Sequence, residues 1–191
     1  MEHVFLALSV IFALLSPVIG ITAVLMGNFR PQRMTRLLIF VISLLFVGSL
    51  WEQGDRNGIY VAGAQLLGGM VLLLLSIKRG MGGTNRLDLL VLALALASLL
   101  AWKATNNPLL GLLMSIVTDL IAFSPTLVKT WKYPETEEWK FYASDVVAST
   151  FSLLSITTYG LATIAFPAYI WLINMVSVVM ILGRRNMRRP E

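Results

Sequence analysis

The feature that most constrains this chain is the alternation of long apolar runs with short basic connections. A bilayer-spanning helix takes about 20 mostly apolar residues. Seven runs meet that need: residues 4–27, 35–51, 59–77, 87–102, 108–128, 140–157 and 160–183. The sixth is the weakest, being rich in serine and threonine. Arg30, Arg33 and Arg36 follow the first run, and Lys78, Arg79 and Arg86 the third. Lys129, Lys132 and Lys140 follow the fifth, and Arg184, Arg185, Arg188 and Arg189 the seventh. The connections after the even-numbered runs hold only Arg56 and Lys103. Lysine and arginine concentrate in cytoplasmic loops. The expected topology is therefore seven transmembrane helices, with the N-terminus outside and the C-terminus cytoplasmic. One helix more or fewer would scramble the alternation.

Composition agrees. Hydrophobic residues make up 57% of the chain and charged residues 13%, about half the charged share of a soluble domain. The net charge of +5 sits in short loops, the footprint of membrane topology rather than of nucleic-acid binding. There is no cysteine, which excludes disulfides and thiolate chemistry, and the single histidine, His3, lies at the extreme N-terminus. No metal and no cofactor are expected. The first run lacks the basic flank of a signal peptide and is read as a retained helix. Trp51, Tyr60, Trp102 and Tyr159 fall at outer helix ends, and Trp131, Tyr133, Trp139 and Tyr142 at the inner boundary. Both sets are read as interfacial belts, with Trp171 the exception near mid-helix.

A weak repeat runs through the chain. Slid without gaps, the third run lays Gly69-Met70-Val71 on Asn174-Met175-Val176. The first and fifth runs each carry a Ser-Pro pair, Ser16-Pro17 and Ser124-Pro125. Two three-helix units joined directly would be inverted, and one extra crossing makes them parallel. The fourth run, with Leu89 to Ala97 apolar on every side, suits such a linker. Asn85 and Asp88 at its start have cap spacing. The expected division is residues 1–80, a linker in 81–106, and residues 107–191.

With this three-one-three pattern, the chain resembles the SWEET, SemiSWEET and PQ-loop transporter superfamily, over almost its whole length. The most specific local match is Phe123-Ser124-Pro125-Thr126-Leu127-Val128-Lys129-Thr130-Trp131-Lys132. It looks like the family's helix-breaking proline motif, with Thr126 where PQ-loop members have glutamine. The resemblance implies alternating access by rocking of two parallel bundles about a central site, with Pro17 and Pro125 as hinges. It also implies an asparagine on the third helix of each bundle. Asn174 suits that role, whereas its counterpart in the first bundle is Gly69 and the nearest amide is Gln65.

Polar residues at membrane depth supply the candidate site. Asp119 lies midway along the fifth run, where insertion costs an aspartate roughly 2.5–3.5 kcal/mol. It is read as a proton-coupling or substrate-binding group, the alternative being a neutral carboxyl bonded to a neighbouring helix. Asn174 and Trp171 stand three apart and are expected to share a face, either around a ligand or as packing glue. Gln65 is placed on the same cavity or in a helix contact that Gly63, Gly68 and Gly69 permit. Asp145, Ser149 and Ser152 form a stripe facing a bundle interior or water, and Asp145 is expected to pair with a fifth-loop lysine at the surface. Catalysis by two carboxylates is disfavoured because Asp119 and Asp145 are expected at different depths.

The expected function is transport of a small polar solute, facilitative or proton-coupled through Asp119, in the cell membrane of a bacterium. The alternative is a sensor or assembly subunit with the same fold and no substrate path. No enzymatic activity is expected. The expected partners are the lipid bilayer and the solute, with homo-oligomerisation left open and nucleic acid excluded.

Overall fold

The computed structural model describes residues 1–82 and 86–187, without the side chain of Leu87. Asn85, Arg188 and Arg189, named above as a cap and as tail charges, lie outside the described residues. Seven α-helices are present among those described: α1 (Glu2–Leu25), α2 (Arg33–Gln53), α3 (Arg56–Arg79), α4 (Arg86–Thr105), α5 (Pro108–Lys132), α6 (Trp139–Leu154) and α7 (Leu161–Met187). A single 3-10 turn, Pro134–Thr136, precedes α6. Six helices are long and apolar enough to cross a membrane, so the chain is a multi-pass membrane protein.

The exception is α6. Its 16 residues span about 24 Å, less than the hydrocarbon thickness of about 30 Å. It stops at Leu154 because Ser155 closes the last turn, its amide on Phe151 and Ser152 and its hydroxyl on Ser152. Asn57 then donates to the Ser155 carbonyl and hydroxyl at 3.3 and 3.4 Å. A short helix is tolerated here because α6 is packed between α1 and α7. Its polar stripe of Ser144, Asp145, Ser149 and Ser152 is buried rather than facing lipid.

Helix starts follow local chemistry. Gly54 adopts a left-handed φ of 71°, and Asp55 then accepts the Gly58 amide at 3.1 Å. That two-residue turn lets α3 begin three residues before its apolar run. Asn107 caps α5 through the Leu110 amide at 3.2 Å, with Pro108 in the first turn.

The helices pack in a regular pattern. α3 lies against both α1 and α2, and α7 lies against both α5 and α6. α1 packs on α6, and α2 on α5. α4 sits outside, against α5 and α2. Its buried stripe is Val91, Ala95, Ser98 and Trp102, at helical spacing, while Leu89, Leu92, Leu96 and Leu100 are exposed. The Trp102 ring fits over Gly48 and Gly111, where an added Cβ would meet it at 2.8 and 2.9 Å. Its indole N–H donates to Glu52 at 2.9 Å. Trp102 is therefore a docking residue of α4 and not part of an interfacial belt. Tyr142 is likewise buried, whereas Trp51, Tyr60, Trp131, Tyr133 and Tyr159 are exposed.

The connections sort onto two ends. At one end, the Arg33 amide bonds Met81 at 3.0 Å, the Arg30 amide bonds Thr136 at 3.1 Å, and Arg184 Nε bonds the Trp131 carbonyl at 3.2 Å. The connections after α1, α3 and α5 thus meet the end of α7. At the opposite end, Lys103 pairs with Glu52 at 3.1 Å and Asn57 meets Ser155, joining features near the connections after α2, α4 and α6. The basic connections after α1, α3 and α5 thus lie together at one end of the described helices.

Glycine sets one close approach within the first three helices. A Cβ at Gly68 would lie 2.1 Å from Pro17 Cβ, whereas one at Gly63 would meet nothing within 4 Å. Gly68→Ala is expected to destabilise by about 1–3 kcal/mol and Gly63→Ala to be nearly silent. Thermal unfolding in detergent checks this; equal midpoints for the two variants would refute the tight α1–α3 contact.

Candidate functional site

The helices enclose a central cavity of about 100 Å³. Each half of the chain contributes polar groups. Arg36 and Ser43 come from α2, Gln65 from α3, and Ser16 beside Pro17 from α1. Asp119 comes from α5, Tyr142 and Asp145 from α6, and Asn174 from α7. Ile39, Phe46, Leu72, Phe123, Phe141, Ile170 and Ile173 supply the apolar wall, and Gly69 leaves space.

Asp119 is 7% exposed and accepts the Tyr169 hydroxyl on Oδ2 at 2.5 Å. That bond ties α5 to α7 and orients one carboxylate oxygen. Asn174 donates to the Ile170 carbonyl one turn back, at 2.8 Å. Its amide oxygen has no protein donor among the described residues. Gln65 donates to Asp145 Oδ1 at 3.4 Å, a long bond that crosses from α3 to α6.

Asp119, Asn174, Gln65 and Pro17 therefore meet at one cavity. Trp171 does not join them: its indole N–H donates to Thr150 at 3.1 Å, away from the cavity. Residues three apart on a helix are offset by about 60° around the axis. Here that offset turns Asn174 inward and Trp171 toward α6. Pro125 also lies off the cavity wall, where Phe123 stands instead. A third internal proline, Pro167, is buried in α7.

Asp145 departs most from expectation. It is 5% exposed, lines the cavity and pairs with no lysine among the described residues. Its helix starts at the basic end but turns this position toward α1 and α3. Both aspartates consequently line one cavity, despite the depths expected for them. They do not share a hydrogen bond: Asp119 holds Tyr169 and Asp145 holds Gln65.

By sequence Arg36 belongs with the topological charges of the first connection. It lies instead within α2, is 8% exposed and faces the cavity. The signal for it was present, since Arg36, Ile39, Ser43 and Phe46 recur at helical spacing and all line the cavity. Its guanidinium is set over the rings of Phe29 and Phe141, 5.4 and 5.3 Å from the centroids.

Both ends of the cavity carry ordered contacts. Toward the end with few basic residues, Phe46 packs on Phe166 at 5.1 Å and Tyr169 at 6.4 Å. Toward the basic end, the Tyr142 hydroxyl donates to Glu137 Oε2 at 2.7 Å. Glu137 Oε1 pairs with Lys129 at 2.6 Å, and neither side chain has more than a tenth of its surface exposed. Lys129 also donates to the Arg30 carbonyl, and Arg185 to the Glu137 carbonyl. This network joins the connection after α1 to the ends of α5 and α7 and touches the cavity through Tyr142.

No protein-family model, curated protein or solved structure matches the chain.

Proposed function

We propose that this protein carries a small polar solute across the membrane by alternating access. The single observation that carries this is the cavity between the two halves, where Asp119 and Asn174 face Gln65. A passive structural subunit has no need of buried carboxylates around an open space, because an intramembrane ionisable group is costly and marks a functional path by default. The packing also supports it. α3 sits between α1 and α2 as α7 sits between α5 and α6, and the cross-contacts α1 with α6 and α2 with α5 correspond under exchange of the halves. In this proposal, residues 1–80 and 107–191 form two parallel three-helix bundles. A linker helix within 81–106 joins them, as in the SWEET and PQ-loop superfamily. The basic end faces the cytoplasm of a bacterial cell membrane, and Asp119 couples transport to protons.

Rocking of the two bundles would open the cavity to one side at a time. Contacts at both ends suit such gates: the Phe46, Phe166 and Tyr169 cluster on one side and the Lys129–Glu137 pair on the other. An enzyme is not proposed, since the two carboxylates bind separate partners and share no hydrogen bond among the described residues. A sensor or assembly subunit is the second proposal, favoured by the small size of the cavity, about 100 Å³.

Gly69→Leu tests the carrier. A Cβ at Gly69 meets nothing within 4 Å and Gly69 lines the cavity, so a leucine there is expected to take up cavity space. Thermal unfolding is first screened against sugars, amino acids, vitamins and nucleosides, since a ligand that binds the native state raises stability. Compounds that stabilise are then assayed for uptake into proteoliposomes. Gly69→Leu is expected to lose both responses while Gly63→Leu keeps them. Undiminished uptake by Gly69→Leu would move the path away from this cavity.

A further inference from the structure

Arg36 is out of place in a cavity built for a neutral solute. Arginine presents five N–H donors and stays charged. Buried polar groups are ordinarily hydrogen-bonded, yet the Arg36 guanidinium donates no hydrogen bond to another residue among those described. It pairs with no carboxylate within 4.0 Å among them either. The rings of Phe29 and Phe141 hold it by cation–π contact, which leaves its N–H groups unspent at the cavity.

Its electrostatic partners lie on the other half of the chain. Asp119 on α5 and Asp145 on α6 line the same cavity as Arg36. Positive charge thus comes from the first three helices and carboxylates from the last three, with the cavity open to both. An anionic solute would satisfy Arg36 but face two carboxylates. A cationic solute would leave Arg36 unpaired, and one-sided burial of a charge is strongly unfavourable. A neutral sugar would bring no charge to either set and would separate them from each other. A solute with both charges satisfies all three groups.

Size narrows the class. One water needs only about 10–15 Å³ of such a cavity, so about 100 Å³ holds several waters or one small solute. That suits a small zwitterion. Ile39, Leu72 and Ile170 accept a methyl or methylene, while Gln65 and Asn174 offer amide groups to orient the polar ends.

We propose that the cavity binds a small amino acid, its carboxylate on Arg36 and its ammonium between Asp119 and Asp145. The binding assignment rests on the carrier proposal only for the step of translocation. It also gives that step a geometry, because one ligand bridges charges on the two halves and draws them together.

The test is calorimetric binding to the full chain in lipid nanodiscs. The probes are glycine, L-alanine, ethylamine, propionate and glucose. Ethylamine and propionate are alanine stripped of the carboxylate and of the amine. Glycine and alanine are expected to bind, and each stripped analogue to bind at least about tenfold more weakly, the loss of one charged contact. Arg36→Gln is expected to lose alanine binding by a similar factor. Should that variant fail to fold, the analogue comparison on the native chain still decides. Propionate or ethylamine binding as tightly as alanine overturns the proposal. So does the absence of heat with both amino acids at millimolar concentration, or glucose binding in their place. Proteoliposome uptake separates the two ideas. Alanine binding without uptake sinks the carrier and keeps the site; uptake of a neutral solute without alanine binding does the reverse.

Discussion

Asp119→Asn is expected to cut proton-driven uptake sharply in the proposed carrier while the protein remains folded. The fold survives because asparagine has the size of aspartate and keeps an oxygen to accept the Tyr169 hydroxyl, which now lies at 2.5 Å from Oδ2. The cost of an aspartate at membrane depth, roughly 2.5–3.5 kcal/mol, is also removed, so thermal stability is expected to hold or rise. What disappears is the only change that a proton gradient can act on at this position, the gain and loss of a proton. Uptake into proteoliposomes under an inward-acid gradient is expected to fall at least about tenfold, while solute exchange at equal pH persists. Tyr169→Phe, which removes the hydroxyl but leaves the carboxyl, is the companion variant and should alter the pH dependence without abolishing uptake. Full gradient-driven uptake by Asp119→Asn would remove this residue from the coupling and leave Asp145 as the buried carboxyl to test.

The second large effect is expected at the basic end. Glu137→Ala strips Lys129 of its counter-charge and Tyr142 of its acceptor, in a place where the glutamate side chain is wholly buried. Breaking one member of a buried pair costs about 3–5 kcal/mol, because the remaining charge stays out of water. The unfolding midpoint in detergent is expected to fall by roughly 10 °C. Adding Lys129→Met removes the stranded charge and is expected to recover much of the loss, since an apolar replacement of a whole pair is often close to neutral. If the double variant is no more stable than Glu137→Ala, the pair is not the source of the effect. The consequence for transport follows from position. The network ties the Arg30 carbonyl to the ends of α5 and α7, so in the proposed mechanism a weakened pair favours opening on that side.

How much of this was legible beforehand differs between the fold and the site. Helix number and order follow from apolar length, a property of contiguous residues that needs no partner to read. The starts and stops shifted where a local group intervened, as with Gly54 and Asp55 before α3 or Ser155 after α6. Asp119, Asn174, Gln65 and Pro17 could be singled out because a polar or helix-breaking residue inside an apolar run is conspicuous. Arg36 passes for a topological charge and Asp145 for half of a surface ion pair, since each stands near a charged connection where an ionisable residue has an ordinary explanation. Trp171 was conspicuous and turned elsewhere.

Hydropathy and charge by themselves determined a helical membrane protein whose connections alternate between a basic and a sparsely charged end. The lengths of apolar runs and the cost of placing lysine and arginine in lipid act along the chain, one segment at a time. Which side of each helix turns inward depends instead on packing between helices. Arg36 reaches the cavity because α2 packs on α3 and α5, Asp145 because α6 turns toward α1 and α3, and Trp102 is buried because Gly48 and Gly111 leave room for its ring. Those rotations are set by fits between helices far apart in sequence, and every residue near a helix end has several environments available until its neighbours are in place.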